Sequence, residues 1–284
     1  MIRRLGPSDD APLRAFLGAR LQSSFILLAN LMADGFIYEG KPYQGVYAGA
    51  FENDELIGVA AHYWNDNLIF QAPRFAVEIG AEALQHSGRP AGGLVGPWEQ
   101  IAAAREGLGL TELPTRYASK EILYALELAR LQIPQPLASG AVQCRRAQVA
   151  DVPCLVDYAV AEAAETFGDP DMREQREKID DSLRQHINEG IVFVLEAGAR
   201  IVAKSEFHGV ANKAVQIGAV FTPPQYRGRG YARSVVAGSL DMVRSTGEKN
   251  AFLFTGEVNV AAQRAYTALG FAPVGNYGII LFHR

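Results

Sequence analysis

Only two cysteines occur in the 284 residues, Cys144 and Cys154. They are too few for a disulfide framework and lack the histidine spacing of a zinc site, so both read as packing residues and no metal is expected. Positive charge is not in excess either. The 27 Lys and Arg stand against 31 Asp and Glu, a net charge of -4, which removes the broad basic field that draws a chain to nucleic acid or to an anionic membrane. Long apolar runs are missing: the longest, Phe25 to Ala33, is far short of a bilayer span, and the opening Met1 to Pro12 has no apolar segment behind its charges. No stretch is low in complexity. What is present is 49% hydrophobic and 20% charged, the mix of a globular chain that can bury a real core. Small-molecule chemistry in the cytoplasm is the expectation these exclusions leave.

The chain repeats itself. Arg3, Arg4, Asp9 and Leu13 return as Arg145, Arg146, Asp151 and Leu155, a constant shift of 142 positions. In both copies a short strand with two arginines leads through a polar turn ending in Asp, a predicted helix N-cap, into an apolar-periodic helix. Phe51 to Ile57 parallels Leu195 to Ile201 as a hairpin turn, and Gly109 and Gly270 each close a helix before extended chain resumes. The order strand, helix, helix, hairpin, strand, helix, strand, helix, strand predicts one α/β unit built twice. The boundary is expected in Ile133 to Gly140, where two prolines argue against regular structure, giving domains 1–137 and 138–284. The charged stretch Asp169 to Glu189 keeps Met172, Ile179, Leu183 and Ile187 on one stripe and reads as a solvated helix face.

The strongest constellation runs from Ala214 to Ala232. An apolar β-like stretch passes Pro223 and Pro224 into the turn Tyr226 to Tyr231, after which Ala232, Val235, Val236, Leu240 and Val243 return at helical spacing. Gly228 and Gly230 let the backbone turn tightly, so that N–H groups at the start of the new helix converge on an anion, with Arg227 and Arg229 adding charge. A glycine turn with no ligand is the alternative. Further on, a buried strand, Ala251 to Thr255, precedes a helix with Asn259 at its start and Tyr266 two turns later, closed by Gly270 and Phe271.

Together these segments resemble the GNAT superfamily of acyl-CoA N-acyltransferases, whose pyrophosphate loop reads R-x-x-G-x-G/A and whose later helix reads N-x-x-A-x-x-x-Y-x-x-x-G-F. Arg227, Gly230 and Ala232 fill the first pattern; Asn259, Ala262, Tyr266, Gly270 and Phe271 fill the second. The resemblance covers roughly residues 142 to 284 and, through the internal repeat, extends to the first half. It implies two tandem GNAT-like domains, each a mixed, mostly antiparallel sheet flanked by helices. It also implies acetyl-CoA as cosubstrate, with Val220, Phe221 and Thr222 beside the pantetheine arm and Tyr226, Arg227, Gly228, Arg229, Gly230, Tyr231 and Ala232 holding the pyrophosphate. Asn259 is implied to bond the pantetheine, with a plain helix N-cap as the alternative. Tyr266 is implied to sit near the sulfur, with a place on the buried stripe of its helix as the alternative.

The implied reaction is direct acetyl transfer to the amine of a small molecule in a ternary complex. It needs a proton acceptor for the amine, a donor for the oxyanion such as the Val220 N–H, and a proton for the thiolate, for which Tyr266 has suitable chemistry. Many relatives carry a carboxylate on the strand before the loop, but Gln216, Ile217 and Gly218 stand there. Alternation on the preceding strand puts Lys204, Glu206 and His208 on one face, which makes Glu206 the leading base candidate, with His208 and Glu257 behind it. A salt bridge from Glu206 to Lys204 is the structural alternative. The acceptor surface is expected around Ala159 to Asp169, and nothing in the sequence fixes an oligomeric state.

The first half departs from the pattern. Asn67 to Pro73 is followed by Arg74 to Gly80 with no paired glycine, and Trp98 and Arg105 stand where Asn259 and Tyr266 stand in the second half. This copy is expected to keep the fold without the cofactor. Two other functions compete: a non-catalytic acyl-CoA-binding regulatory module, suggested by the missing carboxylate, and a tRNA-dependent aminoacyl transferase, against which the glycine loop and the acidic balance both argue.

Overall fold

The computed structural model describes residues 1–167 and 173–283, so Asp169 and Met172 lie outside the described residues. The first run of elements is β1 (Ile2–Arg4), α1 (Asp10–Gly18), α2 (Leu21–Asp34), β2 (Gly45–Glu52), β3 (Glu55–Tyr63), β4 (Asn67–Gln71), α3 (Ala76–Ser87), β5 (Gly93–Pro97), α4 (Trp98–Gly107) and β6 (Thr115–Glu127). After a short α5 (Gln135–Ala138) the order recurs as β7 (Gln143–Arg146), α6 (Val152–Phe167), α7 (Arg173–Asn188), β8 (Val192–Ala197), β9 (Arg200–Ala211), β10 (Ala214–Phe221), α8 (Tyr231–Thr246), β11 (Asn250–Gly256), α9 (Val260–Thr267) and β12 (Ala272–Phe282). No helix among the described residues is long and apolar enough to cross a membrane.

Two local expectations need correction. The prolines before residue 138 do not prevent regular structure, because Pro136 falls in the first turn of α5, where its missing N–H is not needed. Asp9 stands at the N-cap position of α1 but makes no side-chain cap bond. Its carboxylate turns back instead, accepting from Gly6 N (2.8 Å) and from both terminal nitrogens of Arg3 (2.7 Å each). Asp151 repeats the device, accepting from Gln148 N (2.8 Å) and from Arg145 (2.7 and 3.0 Å). Each pair draws the first strand of its copy onto the following turn.

Contacts divide the chain into two compact units. Unit 1 is Met1–Leu123 with Phe254–Val258 and Pro273–Arg284; unit 2 is Tyr124–Leu253 with Asn259–Ala272. A cut at 137/138 would leave β12 with the second half, whereas its contacts place it in the first. In unit 1 the strand order is β1-β2-β3-β4-β5-β12, antiparallel except for the parallel β4–β5 pair. One face buries Leu13, Leu17, Tyr47, Val59 and Tyr63 under α1 and α2; the other buries Phe70, Ile79, Leu94, Ile101 and Ile280 under α3 and α4.

In unit 2 the order is β11-β10-β9-β8-β7, antiparallel except for β10–β11. Leu155, Val156, Leu183 and Ile187 of α6 and α7 pack on Val192 and Val194, and the Tyr158 hydroxyl ties α6 to β9 by donating to the Ile201 carbonyl (2.6 Å). On the other face α8 lies close to β7: a side chain at Gly238 would run into Cys144. Burial pushes the Cys144 thiol up to about 12, consistent with a packing residue.

β12 pairs antiparallel with β5 from Tyr277 opposite Pro97 to Leu281 opposite Gly93, and Tyr277, Ile280 and Phe282 are buried. Burying a large apolar side chain contributes about 1.5–3 kcal/mol, so three approach the roughly 5–15 kcal/mol that holds a domain together. Deleting residues 273–284 is therefore expected to unfold or loosen unit 1 first, although the cut lies at the far end of the sequence. Amide hydrogen exchange should show protection lost in β4 and β5 before β8 and β9; the reverse order would refute the assignment.

Candidate active site

The site begins where β10 loses its neighbours. Its parallel ladder with β11 covers only Ala214–Gln216 against Asn250–Phe252. On the β9 side the register breaks between Gly218, opposite Glu206, and Phe221, opposite Lys204. The extra residue is accommodated by Ala219 in a left-handed conformation (φ 46°), a bulge that leaves Ala219 and Val220 without register partners. The last residues of β10 thus carry backbone groups that the sheet does not use.

The turn that follows, residues 222–230, delivers the chain to α8. Gly228 and Gly230 are both left-handed (φ 76° and 77°), a conformation that favours glycine. No atom lies within 4 Å of where a Gly228 side chain would start. Ser234 Oγ donates to the Gly230 carbonyl (3.1 Å) and fixes the first turn of α8, whose leading N–H groups at Tyr231, Ala232 and Arg233 have no carbonyl four residues back within the helix. Arg227 is held to the turn: its Nε donates to the Thr222 carbonyl (2.9 Å), and its Nη2 meets both oxygens of Glu165 (2.7 and 2.8 Å). Thr222 Oγ1 is buried with no hydrogen-bond partner. A helix N-terminus, two side-chain-free positions, a parted strand and an orphaned hydroxyl fit a pyrophosphate with an extended amide-bearing arm.

A cavity of about 660 Å³ reaches the β10 bulge at Ala219 and is lined among others by Glu162, Lys178, His186, Lys204, Glu206 and His208. Lys204 is 1% exposed, and its Nζ donates to Glu162 Oε2 and Glu206 Oε1, both at 2.9 Å. The other Glu206 oxygen lies 3.2 Å from His186 Nδ1. Burial alone pushes the Glu206 carboxyl up, but Lys204 and then His186 outweigh it and hold it at about 2. Burial pushes Lys204 down, yet Glu206 and Glu162 keep it above the ordinary lysine range. The Glu206 hydrogen bond raises His186 against its burial. Glu206 is thus salt-bridged to Lys204, and a carboxylate held so low accepts protons poorly near neutrality.

His208 completes the face. It is exposed on the cavity side, and a side chain at Gly218 would overlap its ring. Glu257 does not line the cavity; it pairs with Lys120 (3.3 Å) within unit 1. Asn259 Oδ1 accepts from Ala262 N (3.1 Å) and caps α9. Tyr266 is buried on its helix, with Tyr124 and Phe271 as ring neighbours at 6.5 and 6.1 Å.

Two members of the charge network lacked a role in the sequence. Glu162 falls inside the expected acceptor surface without being singled out. His186 sits in the stretch read as a solvated face, although it stands three residues after Leu183 and one before Ile187, on the edge of the apolar stripe.

Unit 1 shows what the same framework looks like without these groups. Arg3 and Arg145 correspond in the repeat; they oppose Gly49 and Val194, which oppose Val59 and Lys204. The counterparts of Lys204, Glu206 and His208 are thus Val59, Ala61 and Tyr63, all buried, with the Tyr63 hydroxyl 2.8 Å from that of Tyr47. Between β4 and α3 the turn is residues 72–75, and Phe75 holds the left-handed N-cap (φ 61°) that Gly230 holds before α8. Ala72 N, at the end of β4, donates to Gln100 Oε1 (2.7 Å).

Residues 155–271 match the Acetyltransferase (GNAT) family, while no curated protein sequence matches the chain. Among solved structures the chain is similar to an acetyltransferase from the GNAT family of Colwellia psychrerythraea (16% identity, 100% of both chains, TM-score 0.56). It is also similar to a GCN5-related N-acetyltransferase from Sphaerobacter thermophilus (18% identity, 99% of this chain and 94% of that one, TM-score 0.59). A tandem GNAT protein from the clavulanic acid biosynthesis pathway aligns as well (13% identity, 99% and 97%, TM-score 0.58). At these identities the likeness is one of fold: two GNAT-like domains in tandem.

The charge network has a pH signature. Glu206 titrates at about 2 in the fold against 4.5 for the free group, so its contribution to stability is complete above pH 4.5 and drains away as pH falls toward 2. Glu206→Gln should cost about 3–5 kcal/mol at pH 7, since it removes one partner of a buried lysine. Urea unfolding at a series of pH values should show that cost shrinking below pH 4.5; a pH-independent cost would deny the pairing.

Proposed function

Because residues 155–271 match the Acetyltransferase (GNAT) family, we propose that the chain is an N-acetyltransferase that moves an acetyl group from acetyl-CoA to the amine of a small molecule by direct transfer. The observation that carries this reading is the presence, in unit 2, of three features: the parted end of β10, the glycine turn opening α8 and a cavity with charged side chains that reaches β10 at Ala219.

The cosubstrate supplies the activated acetyl group. Tyr226 to Ala232 would hold its pyrophosphate through backbone N–H groups, and the free edge of β10 at Val220, Phe221 and Thr222 would pair with the pantetheine amides. Arg227 would serve chiefly by fixing the turn, given its bonds to Thr222 and Glu165. Asn259 would set the start of α9 and so the depth of Tyr266, whose hydroxyl would protonate the departing thiolate. The Val220 N–H would face the developing oxyanion. Unit 1 would bind no cofactor: Phe75 brings a side chain to the position of Gly230, and Gln100 already takes the Ala72 N–H. Binding once per chain follows.

Gly230→Glu tests the cradle. Position 230 is left-handed, and a carboxylate there would face the same N–H groups as the pyrophosphate. Calorimetry should find one acetyl-CoA site per wild-type chain and none in the folded variant, with circular dichroism as the folding check; unchanged affinity would end the proposal.

Tyr266→Phe tests the acid. It keeps the ring among Tyr124 and Phe271 and removes the hydroxyl, so kcat should fall about a hundredfold to ten-thousandfold while acetyl-CoA binding persists. Turnover within about threefold of wild type would reduce Tyr266 to a packing residue, since a lost hydrogen bond costs only about 1 kcal/mol.

A further inference from the structure

We infer that His208 is the general base of the transfer, taking the proton that the attacking amine gives up; the inference rests on the acyltransferase reading above. The cavity side of β9 carries three polar groups, Lys204, Glu206 and His208. The first two are consumed by pairing: Lys204 lies between Glu162 and Glu206, and Glu206 is closed on its other oxygen by His186. No described residue hydrogen-bonds the His208 ring, which opens to the cavity.

Its position is set by what β10 lacks. Gly218 has no side chain, and the imidazole occupies the space that one would fill. The next residues, Ala219 and Val220, form the bulge where β10 leaves its register with β9, beyond the point where its β11 ladder has ended. The ring therefore stands beside the backbone groups assigned to the acyl end of the cosubstrate, one strand over from a position that itself offers no titratable group.

The surrounding charges suit the task. Facing the ring are Lys204 and Glu206 from β9, Glu162 from α6 and His186 and Lys178 from α7, with no charged residue between Gln216 and Phe221 on β10. Crowding by protein atoms lowers the His208 pKa, Glu206 and Glu162 raise it, Lys204 and His186 lower it again, and the outcome lies below the ordinary histidine value. The ring is thus neutral at pH 7 and ready to accept a proton, and the two carboxylates lie where an imidazolium would form. In unit 1 the counterpart, Tyr63, is sealed against Tyr47 and has no such role.

The step balances. The amine nitrogen attacks the thioester carbon, the N–C bond forms, and the N–H proton passes to His208. Collapse of the tetrahedral species breaks the C–S bond, and its electron pair leaves on sulfur, which takes a proton from Tyr266. His208 then gives up its proton, through water, and Tyr266 regains one, so the products are amide and thiol.

The test uses the full chain and His208→Gln, with acetyl-CoA binding measured by calorimetry and thiol release measured against a panel of primary amines: an alkylamine, an arylalkylamine, a polyamine, an aminosugar and free amino acids. The variant should bind acetyl-CoA as wild type does and lose about a hundredfold or more in kcat/KM. The acid limb of the wild-type kcat/KM profile, below pH 6.5, should vanish with it. A folded variant with wild-type rate and the same acid limb overturns the base and leaves the acyltransferase reading standing. A wild type that binds no acetyl-CoA overturns that reading and this one together; one that binds it but acetylates no amine overturns the base. Should the variant fail to fold, the imidazole resonance of His208 in the wild type decides: it must titrate below pH 6.5 and shift on adding acetyl-CoA, and failure of either is refutation.

Discussion

Every backbone N–H and C=O in a buried strand must find a partner on one side or the other, and β10 meets that demand only along its first half. It has β11 for three residues and β9 until Gly218, then a bulge, one further pairing at Phe221 and a turn. What lies beyond depends on this. A strand that kept both neighbours would have no free edge, its next helix would start elsewhere, and Gly218 would not sit open beneath an imidazole. The parting of the strands leaves the bulge at Ala219 on the edge of the cavity.

The two units carry the same framework to different ends, and the difference lies in a few side chains. Both keep the Arg–Asp clamp after the first strand, both reach the helix after the fourth strand through a left-handed residue, and both bury a face of the sheet under two helices. In unit 1 that face is Val59, Ala61 and Tyr63; in unit 2 it is Lys204, Glu206 and His208. The turn is Ala72 to Phe75 in one and nine residues with two left-handed glycines in the other. Phe75 bears the steric cost of a conformation that Gly230 takes freely.

What the sequence made legible was local. The order of elements follows from periodicities and turn residues, and the glycine turn is readable because the residue itself permits the backbone angle. The Asn259 cap is written in four consecutive residues. Local reading failed where the decisive partner is distant. Asp9 and Asp151 look like helix caps until the arginines six residues back claim them. β12 looks like part of the second copy, because a repeat invites a cut at its midpoint, and only its pairing with β5 reveals which core it closes. Glu162 and His186 reach the site across helix–sheet packing, and their neighbours in sequence give no reason to join them to Lys204 and Glu206.

The buried network is hard to explain as a stabilising device. Desolvating a lysine and two carboxylates costs several kcal/mol per ion, and apolar residues of similar size often serve a core equally well or better. Unit 1 supplies that comparison within the same chain, since valine, alanine and tyrosine fill the corresponding face of the sheet and leave no charge to satisfy. The fold does not require ions at these positions. Their effect is to hold the cavity wall polar, to keep Glu206 ionised and to leave one imidazole unpaired among groups that are already matched. A cavity built this way is organised before any ligand enters, because the charges that would otherwise reorient around a bound ligand are pinned by one another.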